Sequence, residues 1–112
     1  LRIYKILPRA EWSAAHQAGR FSGSRVDLAD GYIHFSTAAQ AQETARRHFA
    51  GQADLVVLEV EADDLGEALR WEPSHGGGLF PHLYGALDAG QVRYVTEAPL
   101  GPDGSPVLGT LA

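Results

Sequence analysis

The sequence contains no cysteine and, in 112 residues, a single lysine, Lys5. Without cysteine there are no disulfides, thiolate metal sites, iron–sulfur ligands or cysteine nucleophile. Small secreted domains often rely on disulfide staples, so a cytoplasmic location is the expectation. Long apolar runs are missing too. None approaches the roughly 20 residues that span a bilayer, and no membrane association is expected. Leu1-Arg2-Ile3-Tyr4-Lys5-Ile6 lacks the long apolar centre of a signal peptide. Basic charge is scarce: nine Lys and Arg stand against 14 Asp and Glu, a net charge of −5. The arginines are scattered, and Arg46-Arg47 is the one adjacent pair. A general nucleic-acid binder would carry a basic face, so that class is disfavoured. The length excludes a TIM barrel and a full dinucleotide-binding doubly wound sheet.

Several chemical signatures are absent as well. There is no phosphate loop, no Gly-x-Gly-x-x-Gly, no His-Glu-x-x-His and no calcium loop. His75-Gly76-Gly77-Gly78 has the form of an esterase oxyanion motif. No serine is flanked as Gly-x-Ser-x-Gly, so the hydrolase reading fails. His34, His75 and His82 could supply three nitrogen ligands, but their spacing matches no metal motif. No metal is expected. A metal-dependent small enzyme is therefore the weakest reading, and bound zinc or iron would be its mark.

What is present is 45% apolar residues, enough for one core. Residues 2–7 read as a strand. Pro8 opens a helix that Gly19 stops. Residues 20–31 read as an ordered loop ending in the turn Asp30-Gly31. Tyr32-Ile33-His34-Phe35 is a short strand. Ser36 or Thr37 then caps a helix, and Thr37-x-x-Gln40 has capping-box form. Ala38, Ala41, Ala45 and Phe49 share a face of it, and Gly51 ends it. Residues 55–60 form a continuous apolar run, the mark of a central strand buried on both sides. Residues 62–65 make a turn or short helical piece. Residues 69–72 and 91–95 are further strands, and 80–85 an extended or turn segment. The glycines after His75 imply a flexible loop. Trp12 and Trp71 are expected core anchors. The expected fold is α+β: one compact domain over 1–98, with a small, split, mostly antiparallel sheet and two helices. Residues 99–112 form an irregular tail.

Two segments carry the candidate chemistry. In Gly31-Tyr32-Ile33-His34-Phe35-Ser36-Thr37 a histidine stands at a strand end, beside hydroxyls and a helix N-terminus. His34 can bond a ribose hydroxyl or act as acid or base near neutral pH. The plain alternative is a strand histidine satisfied by a carbonyl, with Ser36 or Thr37 as a mere cap. In Phe80-Pro81-His82-Leu83-Tyr84-Gly85 a histidine sits among aromatics that can stack on a flat ring. Its alternative is an ordinary aromatic turn. Lys5 either pairs with a phosphate or a carboxylate, or is a solvated strand residue. Glu59, Glu61, Glu72 and Glu97 are the candidate carboxylates, with nothing to choose among them. His16 and His48 are expected to face solvent.

Together with Ile3-Tyr4-Lys5-Ile6, these two segments resemble a small bacterial family of unknown function, domain family nine-five-two. The similarity runs from about residue 2 to 97. That family is in turn similar to the ADP-ribosyltransferase superfamily, and Tyr32-Ile33-His34-Phe35-Ser36 resembles a motif of its RNA 2′-phosphotransferases. The resemblance implies a minimal ADP-ribosyltransferase core and NAD as cofactor. It implies His34 and His82 as the catalytic pair. Ser36, Thr37, Tyr84 and Lys5 would bind the nucleotide. Where the superfamily's first strand often carries His-Gly-Thr, this chain reads Tyr4-Lys5-Ile6-Leu7. Glu97 is the candidate for the transferase glutamate. The expected partner is a small nucleotide-like ligand. A non-catalytic ligand-binding or protein-interaction domain is the reading from a different class.

Overall fold

In the computed structural model, which describes residues 1–74 and 78–111, the run at 55–61 is the centre of the molecule. The chain order begins β1 (Arg2–Pro8), α1 (Arg9–Ala18), β2 (Arg20–Phe21), α2 (Arg25–Asp30), β3 (Ile33–His34), β4 (Ser36–Thr37) and α3 (Ala38–His48). It continues with β5 (Leu55–Glu61), a 3-10 segment (Ala62–Ala68), β6 (Leu69–Pro73), β7 (Leu79–Leu83), β8 (Leu87–Asp88) and β9 (Val92–Ala98). β5 lies between β1 and β9 in a four-stranded sheet ordered β4-β1-β5-β9. A three-stranded sheet runs β3-β7-β6, and β2 pairs with β8. Every named pairing is antiparallel. The expected α+β class and split antiparallel sheet are therefore present.

The double burial of β5 follows from strand alternation. Val56, Leu58 and Val60 join Ile3, Leu7, Phe21, Ile33 and Phe35 in one core, which α1 covers with Ala15 and half-buried Trp12. Leu55 and Val57 join Tyr4 and Ile6 in a second core, which α3 covers with Ala41 and Ala45. Ala38 and Phe49 pack against that second core, as their spacing predicts. Each fully buried Leu, Val or Ile stabilises the fold by roughly 1.5–3 kcal/mol. Thr37 caps α3, and its N–H donates to Gln40 Oε1 at 3.0 Å. The helix ends at His48, ahead of Gly51. The tail packs on α3: Gln42 Nε2 donates to the Pro106 carbonyl at 2.8 Å, and Leu108 N–H donates to Gln42 Oε1 at 3.0 Å.

Two expectations need correction. Residues 20–31 are not a loop but hold β2 and α2, so the chain has three α-helices among the described residues. Six residues are too few to show helical periodicity, but Ser24-x-x-Asp27 is a capping box, and Ser24 N–H donates to Asp27 Oδ2 at 2.8 Å. Trp71 is not a core anchor: it is 39% exposed on β6. The extended reading of 80–85 holds for residues 80–83, which lie in β7 with Pro81 inside it. The glycine loop at His75-Gly76-Gly77 lies outside the described residues. Among the described residues no helix is long and apolar enough to cross a membrane.

Gly31 ends α2 with φ +90°, and a Cβ there would meet no atom within 4 Å. Substitution therefore tests backbone strain alone. Gly31→Ala is expected to lower stability by about 1–2 kcal/mol, read from the urea midpoint at unchanged slope.

Candidate functional site

The two histidine segments are neighbouring strands. β3 and β7 pair with Ile33 opposite Leu83 and His34 opposite His82. Ile33 and Leu83 are buried in the first core, so alternation sends both histidines to the other face. The Tyr32 ring stacks on His82 with centroids 4.0 Å apart, and lies 4.6 Å from His34 and 5.3 Å from Tyr84. The two imidazoles meet edge-on at 5.6 Å. β6 places Arg70 opposite His82, and its guanidinium lies 4.7 Å from the Tyr84 ring centre.

Each histidine has a carboxylate at Nδ1. His34 Nδ1 is 2.6 Å from Asp27 Oδ1, and its Nε2 is 2.9 Å from Asp30 Oδ2. His82 Nδ1 is 2.8 Å from Glu72 Oε1, which also accepts the Tyr84 hydroxyl at 2.7 Å. A carboxylate at one ring nitrogen fixes the ring's orientation and favours a proton there. The hydrogen bond from Tyr84, then that from His82, holds the Glu72 carboxyl below its usual range. The same bond to Glu72, with burial, pushes the Tyr84 phenol up.

Asp27 organises the deeper half of the site. It is 2% exposed and Lys5 is 5% exposed. Lys5 Nζ donates to Oδ1 at 2.9 Å and sits 2.8 Å from Oδ2. The backbone N–H groups of Ser24 and His34 donate at 2.8 and 3.1 Å. Burial alone would raise this carboxyl. The hydrogen bond from His34 and the charge of Lys5 outweigh it, taking the carboxyl from 3.8 to about 2. Burial lowers the Lys5 ammonium, and Asp27 opposes that shift.

Of the residues singled out in the sequence, His34, His82 and Tyr84 come together. Lys5 belongs to the same cluster one layer down, spending its charge on a carboxylate. Ser36 is buried with its hydroxyl 2.9 Å from Thr44 Oγ1, and Thr37 caps α3. Of the four candidate glutamates, Glu72 alone bonds a site histidine. Glu61 holds the N-terminal amine at 2.7 Å, Glu59 stands 3.5 Å from the Tyr4 hydroxyl, and Glu97 bonds Arg9 at 2.6 Å on β9. Sequence reasoning missed Asp27, Asp30 and Arg70 as site residues. The capping box at Ser24 was a usable signal for Asp27, whereas Arg70 joins through strand register alone. Among the described residues no group of three or more His, Cys, Asp or Glu is placed to hold a metal ion.

A family model described as "Protein of unknown function (DUF952)" matches residues 6–95. The crystal structure of protein CC0527 from Caulobacter crescentus is similar at 58% identity and TM-score 0.94, covering 97% of this chain and 96% of that chain. A double methionine mutant of that protein gives 56% identity and TM-score 0.94 over the same shares. Its solution NMR structure gives 58% identity and TM-score 0.87 over 96% of this chain and 93% of that chain. No curated protein matches the chain.

Proposed function

We propose that this chain, which belongs to the family of proteins of unknown function DUF952, binds NAD or an ADP-ribose-like nucleotide on the face formed by Tyr32, His34, His82 and Tyr84, with transferase chemistry there. The observation that carries this reading is the register setting His34 opposite His82, each with a carboxylate at Nδ1. The half-exposed His34 ring is pre-oriented to bond a ribose hydroxyl through Nε2, while His82, 3% exposed beneath the stacked Tyr32 ring, is reached only when Tyr32 moves aside. At His34 the hydroxyl would displace the exposed Asp30 carboxylate. Tyr84 supplies an exposed aromatic surface for nicotinamide or adenine. Arg70 supplies positive charge at the rim for a diphosphate.

The reaction in this reading is displacement at the nicotinamide ribose carbon. With NAD bound, the carbon–nitrogen bond would break and nicotinamide would leave with the electron pair. An acceptor oxygen would form the new bond and would give its proton to His82 once the Tyr32 ring stacked over it has moved aside. The remaining residues act by positioning. Lys5 holds Asp27, Asp27 holds His34, and Ser36 and Thr37 fix the start of α3 behind Phe35.

Amide-correlation NMR with NAD and with ADP-ribose tests the reading. Shifts are expected at residues 32–37, 70 and 80–85. His34→Ala and His82→Ala should each weaken binding about tenfold, the value of one good hydrogen bond. If no amide moves at millimolar ligand, the nucleotide reading is lost. Binding without release of nicotinamide would assign the chain to the non-catalytic class.

A further inference from the structure

Glu59 is a largely buried carboxylate that the histidine face does not use. It stands on β5, on the face that carries Leu55 and Val57 into the second core. Strand register sets Tyr4 of β1 opposite it on one side and Tyr94 of β9 on the other. Just past that pair the β5–β9 ladder slips: Val60 pairs with Val92, which leaves Arg93 as the extra residue of a bulge. Bulges re-aim side chains and are common beside functional sites. Next to Glu59 lies a cavity of about 220 Å³, bounded by Val57, Tyr94 and Thr96 of the sheet and closed by Thr110 and Leu111 of the tail.

The two oxygens of Glu59 are treated differently. Oε1 accepts the Tyr4 hydroxyl at 3.5 Å. Oε2 is buried and, among the described residues, has no hydrogen-bond partner. Arg2 Nε stands 3.7 Å from it on a half-exposed side chain, an ion pair beyond hydrogen-bonding reach. Two further cations are engaged elsewhere: Arg93 with Asp64 at 3.1 Å, and Arg9 with Glu97 at 2.6 Å. A buried carboxylate oxygen without a donor costs free energy, so such a group points to a function outside the fold.

The walls set what kind of donor fits. Calcium and magnesium need about six or more oxygens, whereas Val57, Leu111 and the tyrosines offer mainly carbon. A cation carried on an alkyl chain suits both features. Its N–H groups satisfy Oε2, its methylenes lie along Val57 and Leu111, and Tyr94 supplies aromatic surface. The volume equals that of about seven waters at roughly 30 Å³ each, which limits the ligand to a short chain. We infer that this cavity binds the ammonium group of a small free amine, with Glu59 as its counter-ion. The site lies on the four-stranded sheet and stands independently of the nucleotide reading.

Amide-correlation NMR of the full chain with butylammonium tests this, with 1-butanol as the neutral isostere. Millimolar butylammonium is expected to shift amides at 57–59, 94–96 and 109–111 and to leave 32–37 in place. Butanol should bind at least about tenfold more weakly, for want of the charge-assisted hydrogen bond. Glu59→Gln keeps the shape and removes the charge. It should weaken butylammonium at least about tenfold and leave the urea midpoint no lower than the parent's. Arg2→Ala keeps the carboxylate but removes the competing cation, so it should tighten binding, and it serves if Glu59→Gln fails to fold. The amide of Nα-acetyl-lysine carries the same ammonium on a bulkier body and should bind more weakly than butylammonium. No shift at up to roughly 50 mM butylammonium, equal binding of butanol, or an affinity unchanged in Glu59→Gln or in Arg2→Ala overturns the inference. So does tighter binding of the lysine amide, which would assign the cavity to a lysine of a partner protein.

Discussion

Lys5→Met is expected to lower stability by about 3–5 kcal/mol, the usual cost of stripping a buried charge of its partner. The ammonium supplies the two shortest side-chain contacts to Asp27 other than that of His34. Without it a carboxylate remains at 2% exposure, held by His34 and two backbone N–H groups. The informative comparison is the double variant Lys5→Met/Asp27→Asn. It removes both charges but keeps a carbonyl oxygen for the Ser24 or His34 N–H, so most of the loss should return. Urea unfolding of the two single variants and the double variant completes the cycle. Strictly additive losses would show that the pair is not coupled.

The same pair sets an acid limit. The Asp27 carboxyl lies at about 2 in the folded chain and near 3.9 when unfolded. A depressed folded value stabilises the fold above the unfolded one. That contribution, about 2–3 kcal/mol, is present above pH 4 and disappears as pH falls through 2. Lys5 works in the opposite window. Burial lowers its folded value, so its cost is carried at neutral pH and relieved only in alkali. Stability measured from pH 5 to 2 should therefore fall less steeply in the double variant than in the parent.

Phe35→Ala is expected to cost about 3–5 kcal/mol as well, through a different mechanism, because a ring lost from a packed core leaves a cavity. Phe35 is 2% exposed, and its N–H donates to the Pro81 carbonyl at 3.0 Å. It is also the single residue between β3 and β4, which belong to different sheets. Its loss should loosen the three-stranded sheet against the four-stranded one. NMR should then show weaker contacts between His34 and His82 alongside the drop in unfolding midpoint. Val26→Ala, at an exposed position on α2, is the control and should stay within about 0.5 kcal/mol of the parent. Equal effects at both positions would contradict the core assignment.

The contrast between these residues marks how far the sequence could be read. The caps of α1 and α3, the central place of β5 and the interior face of α3 were legible, because each depends on neighbours a few residues away or on one continuous apolar run. Both histidine segments were visible as unusual, but their meeting was not. His34 faces His82 because Ile33 and Leu83 must both enter the core, and that pairing joins strands far apart in the chain. Lys5 and Asp27 are 22 residues apart. Neither signals burial alone, since a charge is tolerated inside only when its partner arrives with it. Trp71 errs the other way: its size predicted the core, but its place on β6 left it partly in water. Local chemistry thus determined most of the longer elements and which segments stand out as candidates, though not β2 and α2. Tertiary packing decided which carboxylate meets which histidine, because register and burial are properties of paired strands.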